Sequence, residues 1–422
     1  MERIEYTPGN IGLYRFTNTA LHKFCIDVLV KAGCMYEEKA QNGYAHLYEH
    51  MVFRHLQNRY GGAFYTLLAR NGIDLNATTY PDCIIFKISG IKEGFSFACE
   101  LLSHLFDDIS IATGEFRKEK QRIKAEIRED EERTTLRFRC EQAIWAGTGL
   151  ARTVHGYCAN IDRASLSSVN RYKNEIVSEG NVFAVLTGSA DEYDEALLTE
   201  TLGKISLSKG EIKTNRTPLP ADFLRRPGTL ITQNDYYTKV FLSFDNGDPL
   251  TDKYRADLLS YVLAYGYDSL VSQALSENNP LIYSYDFWNS RFSNAGIFTL
   301  EYEVEPKNLE ASLSLLTKCF QAIKTGRFDF ETNRKKAITG YLLSLDNAYT
   351  KCGEIAMNLL LWDGDLDAIN GELQALRSIT KEEIMQLAKK IFVKDRMVLG
   401  VKGCKRKLDA NADRLLRIFD EM

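Results

Sequence analysis

Hydrophobic and polar positions follow two periods along this chain, and one order of predicted elements can be read twice. Each half opens with a β-rich run, "KFCIDVLVKAG" or "KVFLSFDNGD", and continues with a helical segment, "GYAHLYEHMVFRHL" or "YRADLLSYVLAYG". A second strand, "DCIIFKISG" or "GIFTLEYEV", then leads into an amphipathic helix, "GFSFACELLSHLFDDI" or "NLEASLSLLTKCFQAI". Alternation with a period of two predicts the strands, and recurrence near 3.6 residues predicts the helices.

Each half continues with a long polar helix, "EFRKEKQRIKAEIRED" or "FETNRKKAITGYLLSL", and closes with a helix and a strand that ends in "NVFAVLTG" or "RMVLGVKG". The repeated order predicts an α+β fold of two homologous domains, each a sheet with helices on one face. A linker is expected within "SLSKGEIKTNRTPLPADFLRRPGTL", which holds three of the eight prolines and lacks periodicity. We therefore expect domains at residues 1–212 and 229–422, joined by a linker at 213–228.

The first helical segment contains "YAHLYEH", in which two of the six histidines are four residues apart. On a helix, His46 and His50 lie one turn apart on the same face, so their imidazoles can converge on one cation. Glu49 is beside them, close enough to accept a proton from water at the metal. The pattern predicts a zinc site, and the alternative is a helix with two solvated histidines.

The second half keeps the apolar positions of this helix but not the metal donors. A requirement of helix packing would have preserved similar residues in both copies, so the asymmetry favours a function for the first copy. The residues opposite His46, Glu49 and His50 are Asp257, Ser260 and Tyr261.

A catalytic zinc needs a third protein ligand, and the long polar helix of the first half offers seven carboxylates between Glu115 and Glu132. Most are expected on a solvated charged face. Glu119 and Glu126 are two turns apart on a stripe that also carries Ile123, so both project toward whatever the helix packs on. One of the two carboxylates can bind the metal while the other orients a histidine ligand.

Composition excludes several classes of protein. The 53 basic and 57 acidic residues give a net charge of −4, without a long basic cluster, so nucleic-acid binding is not expected. Apolar runs are shorter than the roughly 20 residues of a membrane span, and the amino terminus resembles no targeting signal, which predicts a cytoplasmic protein. Nine cysteines without a C-x-x-C pair are expected to be mostly buried thiols.

The strings "HLYEH", "GGAFYTLLARNGIDLNATTYPDCIIF" and "EKQRIKAEI" resemble the inverted-zincin peptidases of the pitrilysin or M16 family. This family includes the mitochondrial processing peptidase and half-size bacterial members. The resemblance spans nearly the whole chain and implies the fold of the LuxS and mitochondrial-processing-peptidase metallohydrolases. It implies His46, His50 and Glu126 as ligands of Zn2+, Glu49 as general base, and Glu119 as the carboxylate that supports a ligand.

In this family an "NA.T" segment lies on a strand whose edge receives the substrate, and "NATT" begins here at Asn76. The resemblance implies that Asn76 and Ala77 bind an extended peptide, which adds to the sheet as an extra strand. An ordinary turn leading into a strand is the alternative interpretation of this segment.

One position departs from the family pattern. Members that complete the site from the second domain usually have an arginine seven positions before a tyrosine, whereas "LSENNPLIYS" has Ser276 before Tyr283. The resemblance implies Tyr283 as a catalytic residue. The serine predicts a composite site, with a homologous second chain as partner in a heterodimer, or a homodimer as the alternative.

The function expected from these observations is a zinc metalloendopeptidase that cleaves short or unfolded peptides. Half-size relatives that work in unlike pairs include peptidases that mature ribosomally made peptides such as bacteriocins, and the resemblance extends that expectation to this chain. The alternative is a non-catalytic assembly subunit of the same fold, like the core subunits of respiratory complexes.

Overall fold

Two compact units make up the chain in the computed structural model, which describes residues 3–217, 219, 229–246 and 249–422. The first unit comprises residues 1–132, 152–215 and 343–370, and the second comprises residues 133–151, 216–342 and 371–422. Each unit therefore includes a segment from the opposite side of the expected linker. Most of that linker, residues 218 and 220–228, lies outside the described residues, so the boundaries at 212 and 229 stay a prediction.

Each unit contains one mixed β-sheet. The first has six strands in the order β1-β2-β6-β3-β5-β4, and the second has five in the order β7-β11-β8-β10-β9. The strands are β1 (Glu5–Thr7), β2 (Gly12–Thr17), β3 (Lys23–Val30), β4 (Ile73–Thr79), β5 (Ile84–Ile91), β6 (Val182–Gly188), β7 (Thr229–Asn234), β8 (Thr238–Asp245), β9 (Tyr285–Phe292), β10 (Ala295–Val304) and β11 (Met397–Gly403).

The pairing directions repeat as well as the strand order. Without β1, the first sheet has five strands, as the second sheet does. In these five-strand sets β2 is parallel to β6, as β7 is to β11, and the other three neighbouring pairs of each set are antiparallel. Strand β4 is an edge strand, because among the described residues it pairs with β5 alone. The predicted duplication is confirmed by this match of order and direction.

Helices connect and cover the strands. They are α1 (Tyr44–Tyr60), α2 (Phe64–Arg70), α3 (Phe95–Ser103), α4 (Thr113–Ile144), α5 (Cys158–Arg163), α6 (Leu166–Ile176), α7 (Glu192–Lys204), α8 (Lys253–Leu263), α9 (Leu270–Ser272), α10 (Leu309–Lys324), α11 (Phe330–Ser344), α12 (Ala348–Leu361), α13 (Leu366–Asn370), α14 (Glu372–Ser378), α15 (Lys381–Ile391), α16 (Lys405–Ala410) and α17 (Ala412–Arg417). Short 3-10 turns lie at Gly61–Ala63, Lys92–Gly94, Gly149–Ala151, Pro306–Asn308, Lys394–Arg396 and Ile418–Glu421, and a π-helical turn lies at Gln273–Glu277.

The first sheet is covered on both faces, which goes beyond the predicted helices on one face. Strand β3 is buried from its second residue to its last, and its side chains alternate between two cores. Phe24, Ile26 and Val28 face the core that includes α1, α3 and α4, whereas Cys25 and Leu29 face a smaller core built with α12. A continuous apolar run is what a strand buried on both faces requires.

The composition predicts the state of the cysteines and the hydropathy of the helices. All nine cysteines are free thiols, and seven of them are buried, as the sequence predicts. No helix in the described part of the chain is long and apolar enough to cross a membrane.

The second unit replaces the histidine pair of α1 with an ion-pair cluster on α8. Asp257, opposite His46 in the duplication, accepts from Lys253 Nζ at 2.9 Å and from Arg291 Nη1 at 2.6 Å. Burial alone would raise the pKa of Asp257, but the charges of Arg291 and Lys253 outweigh burial and hold that pKa below its usual value. This half therefore uses the position to stabilise its own fold.

The Asp257→Asn variant should lose about 1–3 kcal/mol of unfolding free energy near pH 7, because it leaves two cations without their carboxylate. Since the folded pKa of Asp257 is lowered, its contribution is present above about pH 4 and is lost as the pH falls through the folded pKa. Denaturant titrations of the wild type and the variant should therefore converge at acid pH. A difference that is absent at pH 7, or that grows as the pH falls, would contradict this assignment.

Candidate metal centre

The N-terminus of helix α1 is hydrogen-bonded to a buried carboxyl group. Glu37, 3% exposed, accepts hydrogen bonds from the backbone N–H groups of Gly43 at 2.8 Å and Ala45 at 2.7 Å, and from Asn42 Nδ2 at 3.0 Å. A negative charge at a helix N-terminus satisfies free N–H groups and complements the helix dipole. Gly43 has a φ of 101°, a conformation that favours glycine, so the chain can turn into the helix there. These contacts fix the start of the helix at Tyr44, two residues before His46.

The predicted donors of α1 and α4 converge on one point. Glu126 Oε2 lies 3.4 Å from His46 Nε2 and 3.5 Å from His50 Nε2. Two donors bound at about 2.0–2.1 Å to one tetrahedral zinc ion lie roughly 3.3–3.4 Å apart. Two imidazole nitrogens and a carboxylate oxygen are also a donor set that zinc accepts. Both separations from Glu126 Oε2 therefore match those of two ligands of one zinc ion.

Glu119, on α4, contacts α1 through His50 and Arg54. Its side chain is 6% exposed. Oε1 accepts a hydrogen bond from His50 Nδ1 at 2.9 Å, and Oε2 accepts one from Arg54 Nε. Burial alone would raise the pKa of Glu119, but hydrogen bonds from His50 and Arg54 outweigh it and lower that pKa. The carboxylate fixes the Nδ1–H tautomer of His50 and leaves Nε2 directed toward Glu126. Glu119 thus lies behind His50 and Glu126 lies beside both histidines, and their roles as supporting carboxylate and ligand stay predictions.

Glu49 is held beside His46 by the edge strand. Thr79, the last residue of β4, donates its hydroxyl to Glu49 Oε2, which lies 3.8 Å from His46 Nδ1. Burial would raise the pKa of Glu49, but the interaction with His46 and the hydrogen bond from Thr79 outweigh it and keep that pKa low. Glu49 is therefore ionised at neutral pH and able to accept a proton. Sequence reasoning missed Thr79, because no local pattern links a strand end to a helix thirty residues earlier.

The carboxylates around His46 favour the protonated form of its imidazole. Burial lowers the pKa of His46, but the hydrogen bond to Glu126 and the nearby carboxylate of Glu49 outweigh burial and raise it to about 9. The hydrogen bond from His46 lowers the pKa of Glu126 to about 2. A metal ion needs the neutral imidazole, so its binding at neutral pH must release a proton.

A third histidine, His155, also faces this cluster and was not predicted. Its ring lies against the ring of His46, with the centroids 4.8 Å apart, and its Nε2 is 3.8 Å from Glu126 Oε1. Its Nδ1 lies 3.3 Å from Asp130 Oδ2. A lone histidine in a loop has no partner at a characteristic spacing, so no pattern in the sequence indicates it.

The remaining predicted site residues lie on the edge strand and in the second unit. Asn76 is exposed and Ala77 is half-buried on β4, three and two residues before Thr79. Tyr283 belongs to the second unit and is fully exposed, and Ser276 lies in the π-helical turn of that unit. The roles of these residues stay predictions.

Comparison with known families adds an independent observation. The model described as "Insulinase (Peptidase family M16)" matches residues 17–156, which include His46, Glu49, His50 and Glu126. The model described as "Peptidase M16 inactive domain" matches residues 163–336. This chain belongs to peptidase family M16. Membership confirms the family inferred from the motifs and the fold expected from it.

Proteins similar to this chain are named for different functions. The chain is 22% identical over 379 residues to an uncharacterized zinc protease of Rickettsia felis, covering 87% of this chain and 89% of that protein. It is 22% identical over 391 residues to the beta subunit of the mitochondrial-processing peptidase of Saccharomyces cerevisiae, covering 86% and 82%. It is 21% identical over 365 residues to subunit 1 of the mitochondrial cytochrome b-c1 complex of Mus musculus, covering 83% and 76%. The relatives thus include both peptidases and a subunit of an electron-transfer complex.

A solved structure supports the fold separately. A protease from Helicobacter pylori superposes with a TM-score of 0.83 at 18% identity, covering 96% of this chain and all of that chain. At this level of identity the similarity shows the two-domain fold.

The Glu119→Ala variant should bind zinc about 10–100-fold more weakly than the wild type and still form the site, as expected for a carboxylate that orients a histidine ligand. Zinc affinity is measured by competition with a chromophoric chelator. Glu115→Ala is the matched control, because Glu115 is an exposed carboxylate on the same helix that pairs with Lys118. If Glu119→Ala abolishes zinc binding while Glu126→Ala retains it, the two glutamates have the opposite roles.

Proposed function

We propose that this chain is a zinc metalloendopeptidase that cleaves short or unfolded peptides. The observation that carries the proposal is that Glu126 Oε2 lies 3.4 Å from His46 Nε2 and 3.5 Å from His50 Nε2, with the carboxylate of Glu49 beside His46. Zinc-protease relatives within the M16 family support it.

His46, His50 and Glu126 are proposed to hold Zn2+, with Glu119 orienting His50. The bound ion would supply a Lewis acid that makes water easier to deprotonate and stabilises negative charge on a peptide carbonyl. Glu49 would take the proton from the attacking water and pass it to the leaving amine. Thr79 occupies Glu49 Oε2, so the other oxygen, Oε1, is the one proposed to exchange the proton.

Strand β4 is the proposed binding surface for the peptide. It is the last strand of its sheet, and its end is joined to Glu49 through Thr79, so a peptide paired with β4 would run toward the proposed general base. Asn76 and Ala77 lie on the part of the edge leading to that contact. Backbone pairing demands little of the peptide sequence, which suits a substrate that is unfolded rather than one with a particular motif.

The second candidate is a non-catalytic assembly subunit, a role suggested by the relative from the cytochrome b-c1 complex. Such a subunit has no use for buried donors that meet at metal-ligand separations. His46 is 6% exposed and Glu49 is 8% exposed, and burying such polar groups is costly even when they are hydrogen-bonded, so a role in metal chemistry explains why this half contains them. The donor geometry therefore favours the peptidase.

Glu49→Gln is expected to retain about one zinc ion per chain and to lose peptide cleavage, because an amide cannot take a proton from water. His46→Ala and Glu126→Ala are expected to lower the zinc content itself. Metal is measured by elemental analysis and cleavage by mass spectrometry of an unfolded peptide mixture, with Glu115→Gln as the control. Cleavage at the wild-type rate by Glu49→Gln would show that the assigned mechanism is wrong.

We further propose that a homologous partner chain completes the site, in a heterodimer or a homodimer. Ser276 stands where the family pattern has an arginine, which leaves this chain without one expected donor to the substrate carbonyl. Tyr283 is fully exposed, so its hydroxyl is free to serve a composite site. Maturation of a ribosomally made peptide by two such chains in the cytoplasm is the specific role proposed.

The purified chain is expected to cleave peptide poorly by itself and strongly when a related partner chain is added. A missing hydrogen-bond donor to a developing oxyanion typically costs about 10²–10³ in rate, so Ser276→Arg should raise the activity of the chain alone. Ser378→Arg is the matched control, since Ser378 is an exposed serine of the same unit. Full activity of the lone wild-type chain, unchanged by a partner or by Ser276→Arg, would contradict the composite site and leave the zinc assignment standing.

A further inference from the structure

His155 and Asp130 form a carboxylate–imidazole pair at the rim of the metal centre. Asp130 Oδ2 lies 3.3 Å from His155 Nδ1, and Nε2 on the opposite side of the ring lies 3.8 Å from Glu126 Oε1. One donor atom each from His46, Glu126 and His155 lie within 4.8 Å of one another. The proposed zinc ligands thus have a third imidazole beside them.

The backbone that carries His155 is fixed against the turn that starts α1. Gly43 and Gly156 pack so closely that a Cβ on Gly156 would lie 2.3 Å from the Cα of Gly43. Asn42 Nδ2 donates to the carbonyl of Thr153 at 2.9 Å, and Asn160 Nδ2 donates to the carbonyl of Asn42 at 3.0 Å. His155 is therefore held beside His46 by backbone contacts on both sides of it.

The contacts of His155 define which ring nitrogen is free. A carboxylate accepts hydrogen bonds only, so Asp130 selects the tautomer with the proton on Nδ1. In the neutral ring the lone pair is then on Nε2, which faces Glu126 Oε1, another acceptor. Two acceptors that face each other repel unless a cation, either a proton or a metal ion, lies between them. The 3.8 Å separation from Oε1 places this lone pair beside the carboxylate that is proposed to bind zinc through its other oxygen, Oε2.

We propose that His155 is an additional metal ligand, which binds through Nε2 the same ion as His46, His50 and Glu126 when no peptide is present. The inference rests on the proposed zinc site and deepens it. Binding requires the side chain to rotate toward the ion, and its 27% exposure leaves room for that movement.

A fourth protein ligand has a consequence for catalysis. A catalytic zinc ion needs an open position for water or substrate, and His155 would fill that position in the peptide-free chain. Peptide binding must then be accompanied by withdrawal of His155 from the metal. The metal would thus have His155 as a ligand in the peptide-free chain and would lack it during cleavage.

The experiment compares His155→Leu and His155→Gln with the wild type in zinc affinity and in the visible absorption of the chain loaded with Co2+. Both variants remove the imidazole, and the glutamine keeps a polar side chain in case leucine disturbs folding. Their zinc affinity should fall at least tenfold, and the Co2+ absorption should change in intensity and position, because water replaces a nitrogen ligand. Neither readout depends on peptidase activity.

His104→Leu is the matched control. His104 Nδ1 lies 2.9 Å from Asp107 Oδ2, so it forms the same kind of carboxylate–imidazole pair, and its exposure of 23% is similar. It should change neither readout. Zinc affinity within twofold of the wild type and an unchanged Co2+ spectrum in both His155 variants would overturn the inference alone. Absence of zinc uptake by the wild-type chain would overturn it together with the proposed function.

Discussion

The pairing of one buried carboxylate determines the geometry of the whole centre. Glu119 is almost fully buried on α4, and a buried charge is stable only with partners of opposite charge or with hydrogen-bond donors. Both of its closest partners, His50 and Arg54, are on α1, so the contact sets the axial position of α4 against α1. Two turns further along α4, Glu126 then reaches the Nε2 atoms of both histidines. The position of Glu126 therefore follows from the contacts that Glu119 makes with α1.

The two halves show what the same framework does with and without these groups. Asp257 occupies the position of His46 and is neutralised by Lys253 and Arg291, so its carboxylate is already satisfied. Ser260, opposite Glu49, is buried and donates to a carbonyl of its own helix at 2.8 Å. Sheet order and pairing directions are nevertheless the same. The fold therefore does not depend on the metal donors, and their presence in one half requires a separate explanation in chemistry.

Local patterns were sufficient for the elements and for part of the site. The repeated order of strands and helices, and the spacing of His46, Glu49 and His50, follow from periodicities within one element. The choice between Glu119 and Glu126 needed the family resemblance, because both lie on one stripe of the same helix. Thr79, Arg54 and His155 could not be predicted, since their contacts come from the packing of segments distant in the sequence. The packing of α12 on the first sheet is also non-local, although the continuous apolar run of β3 was a signal for it.

The central claim is that one zinc ion is held between α1 and α4. Anomalous X-ray diffraction at the zinc absorption edge, from crystals of the chain purified with zinc, tests this claim most directly. The account predicts a single strong peak about 2.0–2.1 Å from Nε2 of His46, Nε2 of His50 and Oε2 of Glu126. A peak at the other buried group of potential donors, Cys25, Asp27 and Cys352, with none beside Glu126, would contradict it.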